Sequence, residues 1–312
     1  MKLSVLMITY NHEKYIAQAL DSILMQKVNF DYEIVIGEDC STDNTRSILL
    51  EYHEKYPGKI RLLLPEKNLG MTNNFVTTFK SCTGDYIALL EGDDYWTSSD
   101  KLQDQVDFLD AHPSCAICFH NSEEFYDDGT KPSWNYCADN QQEISSLKDL
   151  LLYCNFIPTC SALFRNRLFE DFPDWYYTLG MGDWTLHILN AQHGDIGYIN
   201  RVLGRHRHHV GGVWSLRNQV RNILDVINAY NVVDEYLNHV YTSIVNDKIS
   251  IYYYQLAQIQ GDISLVDGIK YLYISFVKSN CRIKMLSKLF YFSARMVTRR
   301  LAKITSKNSQ FD

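Results

Sequence analysis

Over the first 110 residues, short apolar runs alternate with segments of helical periodicity, and this limits the fold more than any other feature of the sequence. Residues 3–9 are apolar and bounded by polar positions, the pattern of a buried strand. Ile16, Leu20, Ile23 and Leu24 then fall at i, i+4, i+7 and i+8, one face of a helix. Residues 33–36 and 59–64 read as the second and third strands. Between them runs a helical face through Ile48, Leu49 and Tyr52, preceded by the capping-competent run 41–45. A polar loop with Asn68 and Gly70 leads to a helix over 73–80. The fourth strand, 86–90, is apolar throughout, as a central parallel strand is, and Leu102, Val106 and Leu109 mark the helix after it. Repeated strand–helix units specify an α/β fold, a mainly parallel sheet flanked by helices.

The second half is less regular. Residues 159–164 read as a strand, 182–192 as a short helix, and 202–208 as a strand ending near a Gly-Gly turn. Beyond Ser215 the pattern is helical, with a turn expected at Gln260-Gly-Asp. These patterns divide a domain of residues 1–215 from a C-terminal helical extension of 216–312. Charge divides the chain in a similar place. Residues 268–307 hold ten Lys/Arg and no Asp/Glu, whereas residues 1–267 hold 20 basic and 36 acidic side chains. Leu286, Leu289, Phe290, Ser293 and Val297 trace one helical stripe in the basic tail, with Lys284, Lys288, Arg295 and Arg299 on or beside other faces. Such a helix fits either a peripheral membrane contact through residues 280–304 or the acidic body of the chain itself.

Several classes are disfavoured. The net charge of −7 argues against a nucleic-acid partner. No run of 18 apolar residues occurs, so a conventional membrane span is not expected. The apolar start lacks a small-residue cleavage site and reads as a strand, not a signal peptide. The expected location is therefore cytoplasmic, or peripheral at the inner face of the cell membrane, with the eight cysteines mostly reduced. Cys115 and Cys118 form a CxxC near His120, but no second ligand pair matches it, and the run also reads as a buried strand. Neither GxxxxGK[ST] nor GxGxxG is present, which disfavours ordinary P-loop and dinucleotide sites.

Chemistry-bearing residues gather where strands end. The first strand ends Thr9-Tyr-Asn, the second Glu38-Asp-Cys-Ser-Thr-Asp43, and the fourth Glu91-Gly-Asp-Asp94. Ligands of open parallel sheets bind at such carboxyl ends. Glu91, Asp93 and Asp94 repel one another unless a cation sits among them, and hard oxygen donors suit Mg²⁺ or Mn²⁺. The alternative is a solvated acidic turn that caps the next helix. In 205–209, Arg207 and His209 share one strand face while His208 takes the other, an arrangement unlike a four-ligand zinc site. Asp183 is either a reactive carboxylate or the N-cap of the helix over 182–192. Trp184 reads as core, and the segment Asn155-Phe-Ile-Pro-Thr-Cys-Ser161 as a buried strand after a turn.

Taken in order, Thr9-Tyr-Asn, Glu38-Asp39 with Asp43, Asn68-Leu-Gly with Asn73, Glu91-Gly-Asp-Asp-Tyr-Trp96, Gly182-Asp183-Trp184 and the run from Arg207 to Ser215 resemble family 2 glycosyltransferases. The resemblance covers about two-thirds of the chain and implies the GT-A nucleotide-sugar-binding fold. It implies an inverting, metal-dependent enzyme of the hexosyltransferase type, acting in the synthesis of bacterial cell-surface polysaccharides. The donor would be a nucleotide-diphosphate sugar, UDP-linked by preference, and the acceptor a hydroxyl of a glycan or lipid-linked saccharide. By the same resemblance, Thr9, Tyr10, Asn11, Glu13, Asp39, Asn68, Asn73, Asp94 and Arg207 would serve the nucleotide sugar. Tyr10 would stack on the base and Asp39 accept from the uracil N–H. Glu91, Asp93 and His209 would hold the metal, Glu91 standing where the family has Asp, and Asp183 would be the catalytic base; the same resemblance offers Trp184 as a ring to stack on a sugar face and the polar residues of 155–161 as acceptor contacts. Competing classes are a nucleotidyltransferase on a related scaffold and a non-catalytic nucleotide-sugar-binding module. The first needs a Gly-rich basic loop after the first strand, and the second needs loss of the metal or base carboxylates.

Overall fold

A computed structural model describes residues 1–212, 218–261 and 263–280. The end of the late motif, 213–215, and the tail stripe over 286–297 lie outside the described residues. The chain divides into two compact units, Met1–Leu216 and Arg217–Asp312.

The first unit opens with the expected alternation: β1 (Leu3–Thr9), α1 (Ile16–Leu24), β2 (Tyr32–Glu38), α2 (Thr45–Lys55), β3 (Ile60–Leu63), α3 (Met71–Ser81), β4 (Tyr86–Leu89). β1 lies parallel between β2 and β4, and β3 pairs parallel on the outer side of β2. Burial on both faces explains why β1, β2 and β4 read as almost unbroken apolar runs. Leu3, Val5 and Met7 of β1 share a core with Ile16, Ala19, Leu20 and Ile23 of α1. Full burial of each of these Leu, Val, Met and Ile side chains contributes about 1.5–3 kcal/mol. At the start of α2 the N-cap, Asn44, makes no side-chain capping bond, and the residue before it, Asp43, takes the first helical N–H: its Oδ1 accepts from Thr45 N at 3.0 Å and Thr45 Oγ1 at 2.6 Å.

The chain continues through β5 (Tyr95–Trp96), α4 (Lys101–Ala111), β6 (Cys115–Tyr126), β7 (Trp134–Asn135), β8 (Ile144–Ser145), α5 (Leu147–Tyr153), β9 (Leu163–Arg165), α6 (Gly182–Ala191) and β10 (Asp195–His208). The sheet runs β3-β2-β1-β4-β9-β6-β10-β5, with β7 paired to β6 and β8 to β10. It is mixed: β9 is antiparallel to both β4 and β6, and β5 is antiparallel to β10. Two boundaries differ from the sequence expectation. Within 159–164, Thr159–Ser161 is a 3₁₀ turn after Pro158, closed by Ser161 N on Pro158 O at 2.9 Å, so the strand begins only at Leu163. The strand expected over 202–208 starts at Asp195, and an irregular register between Ile199 and Val202 masks its first half. Cys115 and Cys118 are buried, unbridged core residues of β6.

The second unit contains α7 (Gln219–Tyr236), α8 (Thr242–Gly261) and α9 (Leu265–Lys278). Asn218 caps α7 through Val220 N at 2.9 Å, and Ser264 caps α9 through Asp267 N at 3.3 Å. α8 and α9 meet at Ser250 and Ser275, whose hydroxyls each donate to the other's carbonyl at 2.8 and 2.6 Å. Small residues there let the two backbones approach. Among the described residues, no helix is long and apolar enough to cross a membrane.

Candidate active site

The loops after β1, β2 and β3 are tied together by short polar side chains. Asn11 adopts φ +56°, which turns the chain sharply after β1. Its N–H donates to Ser41 Oγ at 2.9 Å, and its Oδ1 accepts from Thr42 N at 2.8 Å. Glu13 Oε2 accepts from Asn44 N at 2.9 Å, while Glu13 N donates to Asp43 Oδ2 at 3.1 Å. Asp39, buried at the end of β2, accepts from Leu69 N at 2.6 Å and Gly70 N at 3.0 Å. Asn68 Nδ2 donates to Asp39 O at 2.8 Å, and Asn73 Nδ2 to Leu69 O at 3.0 Å. Gly70 has φ +80°, a conformation that a side chain disfavours, and so delivers its N–H to Asp39. Asn11, Glu13, Asn68 and Asn73 thus build the rim, while Tyr10 remains 45% exposed on it.

The turn after β4 brings Asp93 beside two histidines. His209 Nε2 lies 2.9 Å from Asp93 Oδ2, and His12 Nε2 lies 3.6 Å from the same oxygen. Their ligand atoms fall within 4.8 Å of one another, a group that Glu91 does not join. His12 is the residue the sequence reading missed; its signal was a histidine three positions past a strand end, too weak to act on alone. Arg207 lies behind this turn. Its backbone N–H donates to Asp94 Oδ1 at 2.9 Å and its Nε to Asp93 O at 2.9 Å. The guanidinium also donates to Gln18 Oε1 at 2.7 Å, pairs with Asp127, and sits 4.5 Å from the centre of the Tyr15 ring. Arg207 therefore braces the turn with donors that the sequence reading had assigned to the nucleotide sugar.

Asp183 is the second residue of α6 rather than its N-cap, which is Met181. Its Oδ1 accepts from Trp184 N at 2.7 Å. Its Oδ2 accepts from Asn155 Nδ2 at 2.7 Å and Thr159 Oγ1 at 3.1 Å. The polar residues of 155–161 thus converge on this carboxylate, and Tyr136 Oη fixes Asn155 by donating to its carbonyl at 2.8 Å. Asp183 is near enough to Glu91 to disfavour its charge. Trp184 is fully buried and belongs to the core.

Comparison with known proteins decides the family. The sequence profile of Glycosyl transferase family 2 matches residues 4–172, more than half of the chain. The chain belongs to glycosyl transferase family 2. It is 38% identical over 213 residues to uncharacterized proteins of Mycobacterium tuberculosis and Mycobacterium bovis, which is 68% of this chain and 60% of theirs. It is 36% identical over 152 residues to the putative teichuronic acid biosynthesis glycosyltransferase TuaG of Bacillus subtilis, covering 48% of this chain and 59% of TuaG. The chain therefore spans less than two thirds of these relatives. Among solved structures, residues 1–349 of TarS from S. aureus with UDP-GlcNAc superpose with a TM-score of 0.68 at 20% identity, covering 96% of this chain and 89% of that one. The mannosyltransferase PcManGT of Pyrobaculum calidifontis, with GDP-Man and Mn²⁺, gives 0.57 at 15% identity, covering 98% and 83%. These likenesses establish the GT-A fold.

In this family member the three carboxylates of the turn differ in charge. Burial, then repulsion from Asp93 and Asp94, pushes Glu91 up to about 8. Burial also raises Asp94 to about 7, against the nearby His206. Burial opposes charge on Asp93 too, but the His209 hydrogen bond and neighbouring imidazoles outweigh it and bring Asp93 down to about 2. Burial lowers the His12 pKa, which favours the neutral ring that a metal ligand needs. Thr9 Oγ1, His12 Nδ1 and Asp94 Oδ2 are buried here without a hydrogen-bond partner. Two imidazole nitrogens that converge on one oxygen of an ionised Asp93 form a donor set that a divalent cation fits. One carboxylate with two imidazoles suits Mn²⁺ better than Mg²⁺, which prefers an all-oxygen shell.

Proposed function

We propose that the chain is an inverting, metal-assisted glycosyltransferase of the hexosyltransferase type. It takes a sugar from a nucleotide-diphosphate sugar, UDP-linked by preference, and passes it to a hydroxyl of a glycan or lipid-linked saccharide. The observation that carries this reading is the pairing of two unlike groups around Glu91, whose charge both Asp93 and Asp183 disfavour: the cation-competent trio His12, Asp93 and His209, and the anchored carboxylate of Asp183.

Asp183 is held through both oxygens, so its position is set before any acceptor arrives. In the transfer, the acceptor oxygen bonds to the anomeric carbon on the face opposite the leaving group. The bond from that carbon to the diphosphate oxygen breaks, and its electron pair leaves with the diphosphate. The acceptor's proton passes to Asp183. A divalent ion held by His12, Asp93 and His209 would offset the charge that develops on the diphosphate. Asp39 already accepts two backbone N–H groups, and a carboxylate has room for about four donors, which leaves capacity for a uracil N–H. The exposed Tyr10 ring supplies a stacking surface for the base.

The relatives' names support a cell-surface polymer as the product class: teichuronic acid biosynthesis for TuaG, and poly(ribitol-phosphate) β-N-acetylglucosaminyltransferase for TarS. For an acceptor of that class, the reaction we propose would take place at the inner face of the membrane. A nucleotidyltransferase reading is weaker, because Tyr10-Asn-His-Glu-Lys14 after β1 is not a Gly-rich basic loop. A purely binding module is weaker because Asp93 and Asp183 are both retained. The test is a donor screen with Mn²⁺ that follows release of nucleotide diphosphate. Turnover of a UDP-sugar, lost when the metal is chelated, is the expected result. Turnover that chelation leaves intact would remove the metal assignment.

A further inference from the structure

We propose that the chain carries a second metal site, for a zinc-class divalent ion, formed by His206, His208 and Glu124 where β6 and β10 run side by side. His206 Nδ1 lies 2.6 Å and His208 Nε2 2.9 Å from the same carboxylate oxygen, Glu124 Oε2. The three ligand atoms lie within 4.8 Å of one another and form a group separate from His12, Asp93 and His209.

The backbone explains why they meet. His206 and His208 are two apart on β10, hence on one face of the sheet. The parallel register sets His206 directly beside Glu124 of β6. Neighbouring side chains hold the donors in place. Glu124 is buried, and its second oxygen accepts from Ser122 Oγ at 3.0 Å, so Oε2 is left for the imidazoles. The His208 ring stacks on Tyr126 at 5.0 Å and on Trp134 at 5.4 Å, which restricts its rotation. The His206 side chain is 37% exposed, giving an ion a route in from solvent.

Two imidazoles and one carboxylate make a three-ligand set typical of zinc, with a fourth position open to water or another ligand. An ion needs donors farther apart than hydrogen-bonded ones, so the imidazoles withdraw slightly and release the protons they share with Glu124. The bound ion would cross-link β6 to β10 one residue before His209 and on either side of Arg207, and so would fix the strand end that delivers both to the Asp93 turn. This role does not depend on the identity of the transferred sugar.

The experiment uses the full chain. Asp93→Asn combined with His209→Ala disables the first group; equilibrium dialysis against Zn²⁺ with metal quantitation should then still find one equivalent. Co²⁺ in its place should give the visible absorption of an imidazole-ligated ion. Adding His206→Ala and His208→Ala should abolish both signals. Should those alanine variants fail to fold, Glu124→Gln keeps the shape of the side chain but removes the anionic ligand. It should weaken Zn²⁺ binding by at least the roughly tenfold to hundredfold lost with outer-shell partners. No bound equivalent in the first variant, or unchanged Zn²⁺ affinity in the others, would overturn the proposal.

Discussion

Gly92 sits where a side chain has no room. A Cβ there would lie 2.6 Å from Thr9 Oγ1 and 2.9 Å from His12 Nδ1, so the carboxylate turn can lie against the β1 loop only as glycine. Gly92→Ala should push Asp93 away from His12 while the rest of the sheet stays folded. Overpacking of this kind costs about 1–3 kcal/mol, so Mn²⁺-dependent UDP binding should weaken by roughly tenfold to a hundredfold. Titration calorimetry alongside circular dichroism checks this, and full affinity in a folded variant would mean that the turn has slack. Asp183→Asn tests the other half of the site. An amide cannot accept the acceptor's proton, and general-base contributions run to about 10²–10⁴ in rate. Transfer should fall by that order while UDP binding is retained. A variant with full turnover would take Asp183 out of the base role. Asn155→Ala should give a smaller loss, because Thr159 and Trp184 N still hold the carboxylate.

At the scale of elements, α4 contains an unusual first residue. Lys101 is fully buried, its Nζ has no hydrogen-bond partner, and it lies 3.8 Å from the centre of the Trp96 ring. Burial brings its pKa down to about 7. Between pH 7 and the ordinary lysine value, the unfolded chain holds this proton and the folded chain does not. Stability should therefore rise with pH across that window, and below it the full cost of the buried charge applies. Lys101→Met, apolar and of similar length, should be more stable than the parent at pH 7 and should flatten the rise. Urea unfolding at pH 7 and pH 9 measures both, and an unchanged pH slope would show that Lys101 keeps its proton through interactions that outweigh burial. The same scale explains what could be read in advance. β1, β2 and β4 were legible because strands buried on both faces are near-continuous apolar runs, broken here only by buried polar residues such as Ser4 and Glu33. β10 was half hidden, because its first half runs into the exposed Asn200 and Arg201 at the register shift between Ile199 and Val202. The rim carboxylates were legible from their places at strand ends. His12 and the anchoring of Asp183 by Asn155 and Thr159 were not, since both depend on which distant loops the fold brings together.

For the whole molecule, the division of charge is the feature the fold leaves to be explained. Clustered carboxylates at strand ends, Asp39, Glu91, Asp93 and Asp94 among them, account for part of the acidic surplus in residues 1–267. Nothing in that chemistry calls for ten basic residues and no acidic ones over 268–307. An acceptor anchored in lipid would favour an enzyme that stays near an anionic membrane surface, and a basic amphipathic stretch can supply that attraction without spanning the bilayer. Each Lys or Arg close to such a surface contributes about 1 kcal/mol. Changing Lys284, Lys288, Arg295 and Arg299 together to Gln should therefore weaken binding to phosphatidylserine vesicles by about three orders of magnitude. Binding by the parent chain should also fall as salt is raised, because exposed charges are screened beyond about 10 Å at 0.1 M. Soluble-acceptor turnover by the variant should not change, since the substituted positions lie outside the matched family region. Co-sedimentation with vesicles at two salt concentrations makes the measurement. Equal sedimentation of parent and variant would assign the tail to the acidic surface of its own chain, and in that case the loss of four positive charges should appear as lower thermal stability instead.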